Sequence, residues 1–319
     1  MPDRLSELRL NIDPLQTALS IGFMMPELIG HKVLPYYIVP SMSFKAPIYG
    51  YEAFKLVDAR RALRSKPKQV EFAVDYTTEQ LEEFALSAPL DRLEIEEASV
   101  AGIDARGRAR GTAQRMVVLN REKAIADLIN TDATYAAGMV TTVSVKWDTD
   151  TGDPFNDLLA VMDAIRQKVG VLPNNLEMGW SAWTSARGNP NVINKMPGGT
   201  GADRTTQTVS MQQFSDYLNM PYFNVGTAAY HDGTDFVDMW PDNVHLSYVD
   251  PNPTEREAPT FGFTATRRYG EVDGVPLLGI AGDDLTEQQW VSEMWYMEQL
   301  KPWIAKNDAG YLLKATNTP

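Results

Sequence analysis

Three histidines and no cysteine are all that this 319-residue chain offers to metal or thiolate chemistry. His31 lies in a proline-bounded N-terminal stretch, His231 in a polar turn before Asp232 and Gly233, and His245 inside a strand pattern between Val244 and Leu246. None belongs to an HxH or HExxH pair, and without Cys there are no disulfides, iron–sulfur clusters or thiolate zinc sites. His245 therefore reads as a structural or surface strand residue. The acidic turn from Trp147 to Asp153 hints at a calcium loop. Counted from Asp148, however, Gly152 is fifth and Leu159 twelfth, where an EF-hand needs its Gly sixth and a Glu twelfth. Gly198-Gly199-Thr200-Gly201 is followed by no Lys-Ser/Thr, and it neither follows a strand nor opens a helix, so it is neither a P-loop nor a dinucleotide fingerprint. No Gly-x-Ser-x-Gly elbow occurs. Adjacent carboxylates at Glu82/Glu83 and Glu96/Glu97 sit in a strongly acidic stretch, where they read as solvated charge rather than as a general acid and base. No catalytic residue, metal site or cofactor is assigned, and the expectation is a protein that is not an enzyme.

The wider composition narrows the classes further. Apolar residues make up 44% of the chain and charged residues 22%, ordinary globular usage that excludes wholesale disorder. The length suits two compact units, or one with large excursions, at roughly 100–200 residues per domain. A net charge of −13 argues against a general nucleic-acid binder. No apolar run approaches the ~20 residues that cross a bilayer, and the first residues carry no secretory h-region, so a cytoplasmic setting is expected.

The charge is distributed in alternating blocks. Residues 41–70 hold seven basic and two acidic residues, a net of +5. Residues 71–104 hold ten acidic residues and only Arg92, a net of −9. Residues 105–123 return to +5, with Arg106, Arg108 and Arg110 as candidates for an inner surface, and 271–300 carry seven acids with no Lys or Arg. Exposed ion pairs within one chain are worth only ~0–1 kcal/mol, whereas opposed blocks on separate copies fix register. The basic set Lys55, Arg60, Arg61, Arg64, Lys66 and Lys68 is accordingly expected to lie on an acidic surface of an adjacent copy, with Glu79, Glu82, Glu83, Glu94, Glu96 and Glu97 as acceptors.

The elements that would position these groups follow from periodicity and punctuation. Residues 1–35, broken by Pro14, Pro26 and Pro35, read as an arm. Residues 39–74 have no helical period and read as a long two-stranded excursion with a charged tip, marginal alone and expected to lie on something else. A helix start is read at 77–83 with Thr78 as N-cap, and a long helix over 111–135 with Thr112 as cap and Val118, Ile125, Leu128, Ile129 and Asp132 on one face. Asp153-Pro154 opens an amphipathic helix with Phe155, Leu158, Leu159, Met162, Ile165 and Val169 inward and Gly170 closing it. Residues 176–178 read as a buried strand, 182–186 as a short helix stopped before Pro190, and Ser210 as the cap of another. Strands follow at 222–225, 236–240, 244–249, 261–266, 275–280, 291–297 and 303–314, giving a mixed α+β architecture.

The residues in this order resemble a known family. Val74-Asp75-Tyr76, Phe84-Ala85-Leu86 and Pro89-Leu90-Asp91 lead to Val118-Leu119-Asn120-Arg121-Glu122-Lys123-Ala124-Ile125-Ala126. Then come Trp147, Asp153-Pro154, Gly170, Pro173-Asn174-Asn175-Leu176, Gly179, Trp183, Asn189-Pro190 and Val192. Val225-Gly226-Thr227-Ala228, Trp240, Val244-His245-Leu246, Phe261-Gly262-Phe263 and Ala309-Gly310-Tyr311-Leu312-Leu313-Lys314 complete the run. Together, over roughly residues 36–314, they resemble the major capsid proteins of tailed bacteriophages.

The resemblance implies an α+β Hong Kong 97-type capsid fold. Its parts would be an N-terminal arm at 1–38, an extended loop at 39–74, a peripheral domain at 75–145 with its spine helix at about 111–135, an axial domain at 146–270, and return strands at 271–319 completing the peripheral domain. It implies self-assembly into hexamers and pentamers of a closed icosahedral shell around double-stranded DNA, held without sequence-specific contacts and without a membrane. The shell would be assembled in the host cytoplasm with a separate scaffolding protein, a portal and a possible decoration protein. A nanocompartment shell of the encapsulin kind shares this expectation. A hydrolase or sugar-binding domain, suggested by seven Trp and thirteen Tyr, is the alternative from another class.

Overall fold

The computed structural model describes residues 28–48, 75–196, 208–250, 260–272, 275–277, 279–286 and 291–318, with positions 56, 58–61, 66, 68 and 69 of the excursion. A short helix α1 (Gly30–Val33) leads into β1 (Tyr36–Val39) and β2 (Ser43–Ile48). β3 (Asp75–Gln80) returns antiparallel to β2, with Ser43 facing Gln80 and Ile48 facing Asp75. The excursion is therefore rooted in a two-stranded ribbon whose outgoing strand lies within the expected 39–74 segment and whose return strand lies beyond it, at 75–80. The helix expected at 77–83 is not formed. The segment instead completes β3, pauses at Leu81 and enters β4 (Glu82–Asp91). Pairing with β2 decides this: Thr77 and Glu79 are half-buried while Tyr76, Thr78 and Gln80 are exposed, the two-residue alternation of a strand.

Asp91 then starts α2 (Arg92–Val100) with a capping box, its carboxylate accepting from Leu93 N–H while Glu94 reaches back to Asp91 N–H. The long helix α3 (Ala105–Ile129) starts six residues before the expected position, because Asp104 rather than Thr112 is its cap and accepts from Gly107 N–H at 2.9 Å. Thr112 lies inside the helix, donating to the Arg108 carbonyl. The helix stops at Ile129, short of 135, where Asn130 and Thr131 side chains donate back to the Ala126 and Asp127 carbonyls. Its 25 residues span about 37 Å. Val118, Ile125 and Ile129 are buried as expected, whereas Asp132 lies beyond the helix and is exposed.

After β5 (Val140–Thr142), Asp153 caps α4 (Pro154–Val169), and Gly170 closes it in the left-handed region at φ 85°. Five of the six predicted apolar residues are buried; Leu159 is exposed and Val161 takes its place against the core. Asp153 also pairs with Lys195 at 2.8 Å. Asp153→Ala is expected to remove cap and ion pair together and lower unfolding free energy by about 1–2 kcal/mol in denaturant titrations.

β6 (Asn175–Gly179) is buried at every position, followed by α5 (Trp180–Gly188), α6 (Pro190–Lys195), α7 (Met211–Leu218) with its Ser210–Gln213 capping box, and β7 (Tyr222–Gly226). β8 (Ala229–His231) and β9 (Phe236–Asp238) pair with each other, and β10 (Val244–Ser247) runs antiparallel to β6. Gly179 and Gly226 admit close packing here: a Cβ on Gly179 would lie 1.9 Å from the Pro241 carbonyl oxygen, and one on Gly226 2.3 Å from the Trp240 ring.

The chain then enters the other sheet through β11 (Gly262–Arg267). A small hairpin of β12 (Gly270–Val272) and β13 (Val275–Leu277) precedes β14 (Gly279–Thr286) and the fourteen-residue β15 (Val291–Ile304). β15 is the centre of the first sheet. β14 and β11 pair along one edge and β4 along the other, so that Leu300 faces both Thr266 and Glu82; β1 lies parallel to β11. The N-terminal half of α3 packs on this sheet through Ala113 and Val117 against Ala281, Tyr296 and Phe84.

The last strand, β16 (Gly310–Lys314), leaves the first sheet and inserts between β5 and β10, giving a second sheet in the order β5-β16-β10-β6-β7. Strand pairing crosses two of the blocks read from the sequence. β11 lies in the 146–270 block but builds the first sheet, and β16 lies in the 271–319 block but builds the second. In each case strand pairing fixes the sheet: β16 satisfies both β5 and β10, and its first four residues are buried. The main core, including Phe155, Trp183, Phe214, Leu176, Met178 and Leu246, lies between the second sheet and its helices, and reaches α3 and the arm base through Ile125, Ile129 and Leu34.

Candidate assembly surface

Of the basic set, Arg60, Arg61, Lys66 and Lys68 are exposed, while Lys55 and Arg64 fall outside the described residues. The tip is organised around Asp58: Lys68 Nζ donates to its carbonyl at 2.7 Å and its carboxylate at 3.3 Å, and Arg60 N–H to its carboxylate at 3.1 Å.

The acidic set does not form one surface. Glu79 lies half-buried on β3. Glu82 pairs with Lys301, and Glu83 accepts from the Gln299 amide at 2.9 Å. Glu94, Glu96 and Glu97 lie on α2, with Glu96 held by Arg92 at 2.8 Å. β4 runs between the two groups, separating Glu82 from α2 by about 30 Å of extended chain. The group beside β3 stands at the root of its own excursion. The α2 group stands apart from it.

α2 is the less expected part. None of its nine residues is buried, and Leu93 is 67% and Val100 90% exposed on one stripe, with Ile103 exposed just beyond. A nine-residue helix is marginal in water, and this one rests on its caps rather than on packing. Leu93 and Val100 were not among the sequence candidates; their i, i+7 spacing beside Glu96 and Glu97 is the signal that marks them.

The base of the arm is tied to α3 by charge that the sequence reading left on the surface. Successive helical side chains diverge by ~100°, so Arg121, Glu122 and Lys123 go to three places. Arg121 makes a two-pronged ion pair with Glu298 on β15, at 2.8 and 3.0 Å, and its guanidinium sits over Tyr36. Burial disfavours the charged guanidinium, but Glu298, Tyr36 and Tyr296 together outweigh burial and hold the proton on Arg121 more firmly than usual. Tyr296 donates to the same carboxylate, and burial followed by that charge pushes its phenol well above the usual range. Glu122 is 1% exposed and accepts from Ile29 N–H, Gly30 N–H and the Trp240 indole at 2.9–3.0 Å. Lys123 turns outward to Asp127.

The histidines do no visible chemistry. His245 is buried, not at the surface, and its Nδ1 lies 2.7 Å from Glu177 on the neighbouring strand. No cluster of three metal-ligating side chains occurs among the described residues. A cavity of about 440 Å³ between the 147–150 turn and α5–α6 is lined by Trp147, Thr149, Thr184, Asn189 and Ile193, with Asp148 at its rim. Asp148 accepts from Thr318, which holds its carboxyl below the usual range, so it serves as an anchor for the C-terminal tail and not as a proton-transfer group.

Comparison with known proteins decides what kind of scaffold this is. The major capsid protein of Burkholderia phage BcepMu is 29% identical over 328 aligned positions, covering 98% of this chain and 99% of that protein. The major capsid protein of Pseudomonas phage JBD67 is 25% identical over 262, covering 79% and 82%. A solved phage-related protein from Bordetella bronchiseptica RB50 superposes with a TM-score of 0.73 at 24% identity, covering 97% of this chain and 98% of that one. The putative capsid protein of an Escherichia coli CFT073 prophage follows at 0.57 and 10%, covering 95% and 98%. No protein-family model matches.

The chain is a homologue of phage major capsid proteins, with the Hong Kong 97-type fold. These homologues are structural capsid proteins rather than enzymes. Relatives that align over nearly its whole length are phage coat proteins, which favours a virion over a nanocompartment. α2 has no buried residue, and the described basic positions of the excursion, Arg60, Arg61, Lys66 and Lys68, are exposed.

Proposed function

We propose that this chain is the repeating coat subunit of a tailed-phage head, closing into an icosahedral shell of hexamers and pentamers around double-stranded DNA. The observation that supports the reading is the exposure of two oppositely charged features: Arg60, Arg61, Lys66 and Lys68 in the excursion that leaves β2 and returns at β3, and an acidic, apolar-striped α2 with no buried residue. The excursion tip of one subunit seats on α2 of the next, Arg60, Arg61 and Lys66 facing Glu94, Glu96 and Glu97, with Leu93 and Val100 covered. A head-to-tail contact of this kind closes rings, and each later contact in the lattice is effectively intramolecular. The negative total charge keeps the shell from adsorbing its polyanionic contents. Shell closure takes place in the host cytoplasm with a scaffolding protein, a portal and, in some heads, a decoration protein as partners.

Size-exclusion chromatography with negative-stain microscopy tests the reading. Co-expressed with its scaffolding protein, the chain is expected to elute as megadalton particles that image as closed shells; a small, discrete oligomer at every concentration contradicts it. Val100→Ser is expected to leave thermal stability within about 0.5 kcal/mol of wild type while reducing the yield of closed particles, read on the same micrographs.

A further inference from the structure

One side of the second sheet is polar and buried. Asn175 and Glu177 on β6, Asn224 on β7, and His245 and Ser247 on β10 share that side by register: His245 faces Glu177, Ser247 faces Asn175, and Glu177 faces Asn224. Each is buried, and Glu177 and His245 are only 1% and 2% exposed. The Asn224 amide donates to Asn175, and the Asn175 amide donates to the Lys32 carbonyl at the arm base. His245 Nδ1 and Glu177 Oε2 lie 2.7 Å apart, whereas Glu177 Oε1, His245 Nε2 and Ser247 Oγ have no hydrogen-bond partner among the described residues. The His245 ring packs on Tyr135, centroids 5.8 Å apart, and on Phe261, at 4.8 Å. Tyr135 follows α3 and Phe261 immediately precedes β11, so the pair touches the segments through which the chain passes between the halves built on the two sheets.

We propose that Glu177 and His245 form a proton-held latch between the two halves of the subunit. Sharing one proton, the pair is neutral overall and holds Tyr135 and Phe261 in place. A second proton, or loss of the last one, leaves a lone charge in a dry sheet interior and loosens both crossings. This inference stands on the chain's own interior and does not depend on the shell reading.

Among the described residues, the surroundings leave no other charge to compensate. From the segment after α3 the facing titratable group is Tyr135, whose phenol donates to the Ile129 carbonyl and which burial, then Glu177, pushes well above its usual range, so it stays neutral. Asp132 acts on Tyr135 from the surface, where Lys314 holds it. β7 and β10 present Asn224 and Ser247, β16 presents Leu312 opposite His245, and Phe261 closes the side before β11; none of these titrates. Burial raises the Glu177 carboxyl, with His245 opposing.

The sign follows from proton counting. In the unfolded chain Glu and His titrate near ~4.3 and ~6.5. Below the first value the unfolded chain binds one proton more than the folded pair, so the latch weakens as pH falls. Above the second the folded pair holds one proton more, so it weakens as pH rises. The latch is strongest between these values.

The test compares the full-length wild type with a Glu177→Gln, His245→Gln double variant, which keeps polar groups of similar size and removes both titrations. Thermal midpoints and amide exchange in peptides containing Tyr135 and Phe261 are measured at about pH 4, 5.5 and 8, with exchange corrected for its intrinsic pH dependence. The wild type is expected to peak near pH 5.5 relative to the variant, with exchange at both crossings roughly tenfold faster on either side. Parallel pH profiles for the two proteins overturn the latch. Should the variant not fold, wild-type exchange decides alone: equal protection of both peptides at all three values overturns the proposal, and the peaked pattern confined to them supports it.

Discussion

Replacing Arg60, Arg61 and Arg64 together with Glu is expected to abolish closed shells and leave the subunit folded. Arg60 and Arg61 are exposed on the excursion tip and support no buried structure, so the thermal midpoint should stay within ~2 °C of wild type. The consequence between copies is different in kind. In the proposed contact the attractions of Arg60 and Arg61 toward the acids of α2 become repulsions, with a third reversed charge beside them at position 64, and like charges set opposite one another at a contact reject the pairing. A contact at least ~100-fold weaker, repeated at every subunit of the lattice, removes assembly rather than reducing it. Sedimentation velocity and micrographs of the variant read the result. Normal shells from a protein that melts normally would remove the excursion from the assembly contact.

The second large effect is internal. Glu122→Ala is expected to cost about 3–5 kcal/mol, a fall in thermal midpoint of roughly 4–8 °C. Three donors lose their acceptor at once, the N–H groups of Ile29 and Gly30 and the Trp240 indole, and each unpaired buried donor costs about 1–3 kcal/mol before any relaxation. Trp240→Phe removes one donor and keeps a smaller aromatic ring in place of the indole, so it should cost less. Differential scanning calorimetry separates the two. Exchange at Ile29 and Gly30 should rise in Glu122→Ala well beyond the global change, because these amides fix where the arm joins the body.

How much of this was legible can be argued element by element. α4 was readable from Asp153-Pro154 to Gly170, because cap, first-turn proline, apolar face and left-handed stop all agree. The outgoing strand at the root of the excursion, β2, was readable too, since proline punctuation and the absence of a helical period leave an extended segment. The start of α3 was obscured by Gly107 and Gly111 among arginines, which imitate a loop, although Asp104 stood there as a cap. The segment 77–83 carried helix-start residues and became strand because β2 lies beside it, a choice made by pairing that no local propensity encodes.

The site divides in the same way. Charge blocks identified the basic tip and the acidic stretch, but a linear count cannot show that β4 holds Glu82 and Glu83 away from Glu94, Glu96 and Glu97. The buried carboxylates were hidden by their neighbours. Glu122 sits in an Arg-Glu-Lys triplet that looks solvated, yet its spacing from Val118, Ile125 and Ile129 places it on the buried face. Glu177 lies between Leu176 and Met178 in a strand buried on both sides, where alternation provides no warning.

The central claim is that the excursion tip rests on another copy and not on its own body. The absence of cysteine makes it directly measurable. An Arg61→Cys, Glu97→Cys double variant, oxidised under assembly conditions and run on a non-reducing gel, is expected to give a ladder of covalent oligomers, because each tip reaches the next subunit's helix. A single monomer band, internally bridged or unbridged, while each single-cysteine variant still assembles, would contradict the account.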